Sequence, residues 1–387
     1  MINIGTGSIA NYEATVASGL ETIAQSEVKD KIGVDSETQR GRIWFSTDAP
    51  VHDVLKLKSI NNLFVIMFSK NLEDNDIPQD ARSLESILMK VGDECDWRVG
   101  LEKWKQMCKF ELDLDKILTK NENYRENQPK FRVSSNRFGP NHKFTSPEIC
   151  SSFGHVIDTK FGWPIKLKDF DLQVMANFNE NHLYVGITLT PLALDRRNIV
   201  STGYTTLRAA TCYSLLRVAK IQTGDIVMDP MAGSGAIPVE CCYGWNEEWL
   251  AYTLAGEIES KPLSKCKVNL DSFRAGPPRD ILQLDLRGSP IRDACIDVVV
   301  SDLPFGRRHG SKKNNRSLYP KLLSEMGRMV RLETGRATLL TQDFKSLNHA
   351  YRHYRHLWTM KSCNFVKVGN LSCHIYLLQR TLTKFGE

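Results

Sequence analysis

The stretch Ile226-Val227-Met228-Asp229-Pro230-Met231-Ala232-Gly233-Ser234-Gly235 decides how this chain folds. A short apolar run ends on a carboxylate and then turns through two glycines. Glycine permits a tight turn and close approach of backbone to a ligand. Ala236–Tyr243 continues as a helix, with Pro238 near its start, where a missing N–H costs little. A strand that passes through such a turn into a helix belongs to a doubly wound sheet, and a ligand sits at the carboxyl end of the strand. The dinucleotide pattern G-x-G-x-x-G is incomplete, because Pro238 holds the place of the third glycine.

Downstream, apolar runs recur between helical segments: Leu250–Ala255, Ile281–Leu284, Ile296–Val300 and Ala337–Thr341. Buried strands alternating with helices predict a parallel α/β sheet. Trp358–Val368 and Ser372–Leu378, separated by Gly369-Asn370-Leu371, predict a terminal antiparallel hairpin. Carboxylates follow the strands: Asp229, then Glu257, then Asp285. Three acids at strand tips suit a ligand carrying an ammonium, a ribose diol and an adenine amine. S-adenosylmethionine has all three. A fourth strand runs into Ser301-Asp302-Leu303-Pro304-Phe305-Gly306. Here Asp302 and the Leu303 carbonyl can accept hydrogen bonds from a planar exocyclic amine, and Phe305 can stack on its ring. Such an amine is a weak nucleophile, so hydrogen bonding to its protons and in-line positioning against a methyl donor are the help it needs. Immediately beyond come Arg307, Arg308, Lys312, Lys313 and Arg316, either a solvated basic loop or a clamp for phosphates flanking the base.

Upstream of Ile221 the pattern differs. Leu20, Ile23 and Ala24 have helical spacing, Arg42–Ser46 and Leu63–Phe68 read as strands, and residues 1–100 form an α+β unit. A polar loop spans 119–129, and Lys130–Ser135 is strand-like. Thr145 and Ser146, followed by Pro147 and Glu148, start a helix. Leu172–Phe178 and His182–Thr190 flank Asn179-Glu180-Asn181 as a hairpin. The whole chain has 387 residues, enough for two or three domains, and 25% charged residues, which excludes a collagen, a rod or wholesale disorder. Met1–Leu20 shows no basic start and no apolar block, so no secretory signal is expected. Ten cysteines without a C-x-x-C pair predict reduced thiols in the cytosol or nucleus and no zinc site. Lys and Arg outnumber Asp and Glu by 16 to 5 in residues 301–387 but are outnumbered 10 to 16 in residues 1–100. A basic carboxyl-terminal block on a non-basic body points to a polyanion docking on one face.

These motifs together resemble the THUMP-domain RNA guanine-N2-methyltransferases, especially the eukaryotic enzymes that act on tRNA. Phe131-Arg132-Val133 with Phe144-Thr145-Ser146 resembles the THUMP core, and Arg196-Arg197-Asn198-Ile199 its exit. Thr205-Thr206-Leu207-Arg208 resembles the lead into the catalytic domain, and Ser301–Tyr319 with Leu340-Thr341-Gln342-Asp343 is the most similar stretch. The resemblance implies a ferredoxin-like unit over 1–100, a THUMP unit over 101–200 and a Rossmann-like methyltransferase over 201–387. It implies that Asp229, Gly233, Gly235, Thr206 and Arg208 line the S-adenosylmethionine site, with Glu257 on the ribose and Asp285 on the adenine. Asp302, Leu303, Pro304 and Phe305 would orient the guanine N2 amine. Arg132, Arg137, Lys143, Arg196 and Arg197 would grip the acceptor-stem end of tRNA. The resemblance also implies a small zinc-binding activator subunit on an apolar face, and a cytoplasmic location. A small nuclear RNA substrate, or an RNA-binding protein without catalysis, are the other readings. The chain departs from the family's pattern in carrying Glu257 where Asp is usual, and in a glycine loop that reads Met-Ala-Gly-Ser-Gly where relatives often have Cys and Thr in it.

Overall fold

The structure is a computed structural model that describes residues 9–386 apart from 109–112, 121–127, 140–141, 204–205, 245–247, 274–275 and 306–311; the side chains of Lys312 and Lys313 also lie outside the description. The polar loop read over 119–129 therefore falls largely outside the described residues.

The amino-terminal half runs β1 (Ala10–Thr15), α1 (Glu21–Ile32), β2 (Ser36–Gln39), β3 (Arg42–Thr47), α2 (Val51–Val54), β4 (Asn62–Asn71), α3 (Ala81–Glu94), α4 (Trp97–Lys105) and α5 (Leu114–Leu118). It continues as β5 (Phe131–Ser134), β6 (Arg137–Phe138), α6 (Ser146–Phe161), β7 (Leu172–Asn179) and β8 (His182–Thr188). One sheet, ordered β2-β3-β1-β4-β8-β7-β5 with β6 beside β7, passes through both amino-terminal units. The seam is the antiparallel pair β4–β8, which carries a register shift between Ile66 and Phe68. Helix α6 begins as its sequence predicts. Thr145 and Glu148 form a reciprocal capping box, a proline occupies the first turn, and Gly162 closes the helix in the left-handed region. Its buried face (Ile149, Phe153, Val156, Ile157) packs on α3 and under an aromatic cluster of Trp97, Phe153, Phe161 and Trp163.

The carboxyl-terminal half opens with α7 (Ala209–Val218) and continues β9 (Ile226–Asp229), α8 (Ala236–Tyr243), β10 (Tyr252–Glu257), α9 (Ser260–Asp271), β11 (Arg279–Gln283) and β12 (Val298–Asp302). Then come α10 (Lys312–Met329), β13 (Arg336–Thr341), α11 (Phe344–His353), β14 (Trp358–Val368) and β15 (Leu371–Arg380). The sheet order is β11-β10-β9-β12-β13-β15-β14. The first five strands are parallel, and β15 and β14 are antiparallel, so the expected hairpin closes one edge. Chain order reverses between β9 and β12, which opens a crevice at the carboxyl ends of the strands. Apolar residues of both halves share one core: Val16, Leu20 and Ala24 join Tyr213, Val300, Val366 and Ile375. No helix among the described residues is long and apolar enough to cross a membrane.

Candidate active site

The parallel strands end on one edge, and there the sheet gathers its acids. Asp229 ends β9, Glu257 ends β10 and Asp302 ends β12, while Asp285 lies two residues past β11. Asp229 is buried and accepts hydrogen bonds from Ser301 Oγ at 2.8 Å and from the Met231 amide at 3.1 Å. Burial pushes its carboxyl up to about 7, more than these two donors lower it. Asp302 is also raised well above the usual carboxylate range, first by burial and then by the charge of Asp229. Its Oδ1 is sealed from solvent and has no hydrogen-bond partner. A buried acceptor left without a partner is uncommon, and this one is free to take a donor from a ligand. Glu257 accepts from the amides of Gly233 and Glu259, both at 2.9 Å, so the glycine turn is tied to the tip of β10. Asp229, Glu257 and Asp302 make no ion pair with Lys or Arg among the described residues. Three converging carboxylates without a counter-cation favour a cationic ligand, and S-adenosylmethionine with its ammonium and sulfonium is one.

The turn itself is built on positive φ. Gly235, at +85°, caps helix α8, and a Cβ there would lie 2.6 Å from Cys266 Sγ. Thr206 reaches the same turn, with its Oγ1 2.9 Å from Ser234 Oγ and bonded to the Gly203 amide at 2.7 Å. Asn269, fully buried on α9, clips this approach segment in place. Its Oδ1 accepts from the Val200 and Ser201 amides, and its Nδ2 donates to the Ser201 and Ser234 carbonyls. Asn269 was not among the residues singled out from sequence, because nothing local distinguishes it from any other helix asparagine. Arg208 is exposed and stands 3.9 Å from Asp195. Asp285 is held below the usual carboxylate range by the adjacent Arg287, with which it forms an exposed pair.

The Asp302–Phe305 loop is fixed from behind. The Leu303 amide donates to the Leu340 carbonyl, and Leu303 is buried. The Pro304 carbonyl accepts from Tyr319 Oη at 2.7 Å and from Asn315 Nδ2 at 3.0 Å, both on α10. That carbonyl is therefore occupied and holds the loop in place. Phe305 is half-buried against the shared core.

The expected RNA contacts differ in exposure. Arg137, Lys143, Arg196 and Arg316 are exposed. Arg132 lies over the Phe170 ring at 4.0 Å and donates to Gln173, so it is partly committed to packing. Arg197 is committed inside the protein: it pairs with the buried Glu240 and donates to the carbonyls of Leu194 and Lys58. Its guanidinium therefore ties the linker to the catalytic half and is not presented to a ligand. Arg307 and Arg308, and the side chains of Lys312 and Lys313, lie outside the described residues.

Two family models match the chain, a THUMP domain over residues 113–188 and an RMKL-like methyltransferase domain over residues 196–374. The tRNA (guanine(6)-N(2))-methyltransferase THUMP3 of Bos taurus is 32% identical over 96% of this chain and 88% of its own length. The Homo sapiens protein of the same name is 31% identical over the same shares. The U6 snRNA (guanine-N(2))-methyltransferase THUMPD2 of Bos taurus is 20% identical over 90% of this chain and 80% of its own. The crystal structure of TrmN from Thermus thermophilus superposes with a TM-score of 0.77 at 22% identity, covering 96% of this chain and 99% of that one.

Proposed function

The chain belongs to the THUMP-domain RNA guanine-N2-methyltransferases, and we propose on that footing that it methylates the exocyclic N2 of a guanosine in tRNA with S-adenosylmethionine as donor. The observation that carries the reading is the unpartnered Oδ1 of Asp302 at the tip of β12, beside two further carboxylates that lack an ion pair among the described residues.

Bound S-adenosylmethionine supplies an electrophilic methyl on a sulfonium. Glu257 and the Gly233–Gly235 turn hold one end of that ligand, and Thr206, Ser234 and Asn269 keep the turn rigid. Asp302 accepts an N2 proton of guanine, which returns electron density to a nitrogen otherwise delocalised into the ring. It also holds the proton that the nitrogen gives up once methylated. Its raised pKa fits that task, because a base that ionises nearer neutrality receives a proton more readily. Tyr319 and Asn315 fix the loop through Pro304, and Phe305 offers a ring for the base. The THUMP unit, through Arg132, Arg137, Lys143 and Arg196, grips the acceptor-stem end.

A zinc-binding activator subunit belongs to the same proposal. The β14 edge of the catalytic sheet is partly covered from the amino-terminal half, where the Lys367 amide donates to the Ser18 carbonyl at 2.8 Å. The β11 edge is not paired with another strand among the described residues. Beside it, α9 and β11 line a cleft of about 560 Å³ that includes Leu263, Leu270 and Ile281. An open sheet edge is a surface for strand addition, and the cleft beside it mixes these apolar side chains with Lys267, Asp271, Arg279 and Asp280. Free thiols throughout, most of them buried, support a reducing compartment, and we place the enzyme in the cytoplasm.

The test is methyl transfer from labelled S-adenosylmethionine to unfractionated tRNA, with and without the activator, followed by nucleoside mass spectrometry. N2-methylguanosine is expected. Asp302→Ala is expected to lower kcat by about 10²–10⁴-fold, the range of a lost acid–base group, while S-adenosylmethionine still binds within a few-fold of the parent. Parallel loss of binding and turnover refutes the role given to Asp302. Product in U6 small nuclear RNA and none in tRNA refutes the substrate.

A further inference from the structure

Phe344, His374 and Phe365 come from three different elements and meet at the rim of the catalytic sheet. His374 lies between the two phenylalanines, with ring centroids 5.0 Å from Phe344 and 5.7 Å from Phe365. Phe344 is 39% exposed and Phe365 47%, high for rings that gain so much by burial. No role in the chemistry above falls to any of them. His374 Nδ1 is out of contact with water and has no hydrogen-bond partner, and burial holds the imidazole below its usual pKa, so the ring is flat and neutral at physiological pH.

The ladder fixes where this cluster stands. Asp302 pairs with Leu340, and Leu340 with Ile375. Thr341, one residue on, pairs with His374, which pairs with Phe365. His374 is thus two strands from Asp302 at the same carboxyl rim, roughly 10 Å at ordinary strand spacing. The two sites are physically linked. Tyr319, which holds the Pro304 carbonyl, also bonds Thr341 Oγ1 at 2.9 Å. On its other side the cluster touches the amino-terminal half: a Cβ on Gly19 would meet the Phe365 carbonyl at 2.1 Å. An RNA strand running from the amino-terminal units to Asp302 would cross this rim.

The chain that carries it is mainly basic, with Asp343 capping α11 beside Phe344. Residues 344–386 contain seven Lys or Arg and no Asp or Glu. Lys345 on α11 and Lys361 and Lys367 on β14 are exposed on the elements that carry the two phenylalanines. Exposed aromatic faces interleaved with cations are what single-stranded nucleic acid needs: a face for the base and charge for the phosphates.

The geometry points to Phe344, His374 and Phe365 as a stacking platform for an unpaired nucleotide next to the guanosine seated at Asp302. The platform rests on the RNA methyltransferase reading above and adds to it the specificity for a splayed, single-stranded neighbour. Extruding a base from a helix leaves its neighbours unstacked, and a second stacking surface offsets part of that cost.

The experiment uses the full chain, with its activator where activity requires one, on unfractionated tRNA at saturating S-adenosylmethionine. Phe344→Ala and Phe365→Ala are each expected to raise KM for tRNA roughly tenfold, as loss of one base–aromatic stack does, with kcat changed far less. Phe365→Tyr keeps the ring and should keep the parent KM. Phe365→Leu keeps apolar bulk without a π face and should behave as the alanine variant. Restoration of KM by leucine, or parental KM in both alanine variants, overturns the platform and leaves the patch to a protein partner. Phe365→Trp gives a readout independent of turnover, since tRNA should quench the added indole emission, and the absence of added quenching also overturns it. Failure of the parent protein to form N2-methylguanosine would refute the reaction, while the quenching still decides the platform.

Discussion

Asp229 and Asp302 end adjacent parallel strands; the charge of Asp229 makes Asp302 harder to ionise, and that of Glu257 does the same to Asp229. Burial is the larger cause for both. An aspartate lowered into such a site would normally have an ion-pair partner, yet none stands there among the described residues, so the site is poised for a cation. For Asp229 the sign follows from linkage. Its pKa is about 7 when folded and about 3.9 when unfolded, so folding favours the protonated acid. That contribution is complete below about pH 4 and is lost as pH rises through 7. The ligand-free protein should therefore show a Tm that declines between pH 5 and pH 8, and Asp229→Asn should flatten the decline. A cation in the site reverses the preference. S-adenosylmethionine should then bind more tightly as pH rises from 6 to 8, by up to about tenfold per unit where one proton is released. Calorimetry in two buffers of different ionisation enthalpy reads that release directly. A pH-independent affinity with no proton release would show that Asp229 is already ionised or far from the bound charge.

The element that carries the site is the β9–turn–α8 unit, and it was legible because its signal is local. An apolar run, an acid and two glycines occupy ten successive residues, and each reports its own backbone need. The same holds for the capping box of α6 and for the two hairpins, whose turn residues are contiguous with their strands. Helices α3 and α4 went unread, although Asp80 caps α3 and Leu84, Leu88 and Val91 give it an apolar face. The continuous amino-terminal sheet was not legible either, because β4 and β8 are separated by more than a hundred residues of chain. Nor was the support beneath the active loop, since Asn315 and Tyr319 are ordinary helix residues until α10 brings them to the Pro304 carbonyl. The glycine turn also makes a quantitative claim. Gly235→Ala must hold φ near +85° and place a Cβ against Cys266. The first costs about 1–2 kcal/mol and the second about 1–3 kcal/mol. A fall in Tm and a loss of S-adenosylmethionine binding are expected together, whereas Ser234→Ala, which removes a single hydrogen bond to Thr206, should cost about 1 kcal/mol. Parental stability in Gly235→Ala would mean the turn is less crowded than this packing.

At the scale of the molecule, an RNA enzyme of this build must hold its gripping units at a fixed distance from Asp302, and the halves are joined by buried charge as well as by a shared core. Glu27 is fully buried on α1. It accepts from the Lys58 amide at 2.8 Å, the Ser59 amide at 2.9 Å, the Ser59 hydroxyl and Lys31 Nζ at 2.7 Å. Burial alone would push its carboxyl up, yet Lys31 and these donors bring it below the usual value. Lys31 continues across the junction to Glu248 at 2.6 Å, which also accepts from Tyr213 Oη at 2.6 Å. Arg217 of α7 reaches back to Asp30, and Arg197 ties the linker to Glu240. Partners this far apart in sequence leave no motif, which is why the basic pair Arg196-Arg197 reads as one RNA contact when only Arg196 is exposed. Removing one member of a buried network leaves the others unpaired and costs about 3–5 kcal/mol, whereas an exposed pair such as Arg98–Asp115 is screened by solvent and contributes little. Glu27→Ala should therefore lower the Tm strongly and separate the melting of the two halves in calorimetry, with Asp115→Ala as the near-neutral comparison. Because Glu27 touches neither the glycine turn nor Asp302, S-adenosylmethionine affinity at 20 °C should stay near the parent's while kcat/KM for tRNA falls at least tenfold. Equal losses in both would mean the junction shapes the catalytic site itself, and unchanged tRNA turnover would mean that the distance between gripping surface and active site is set by the RNA and not by the protein.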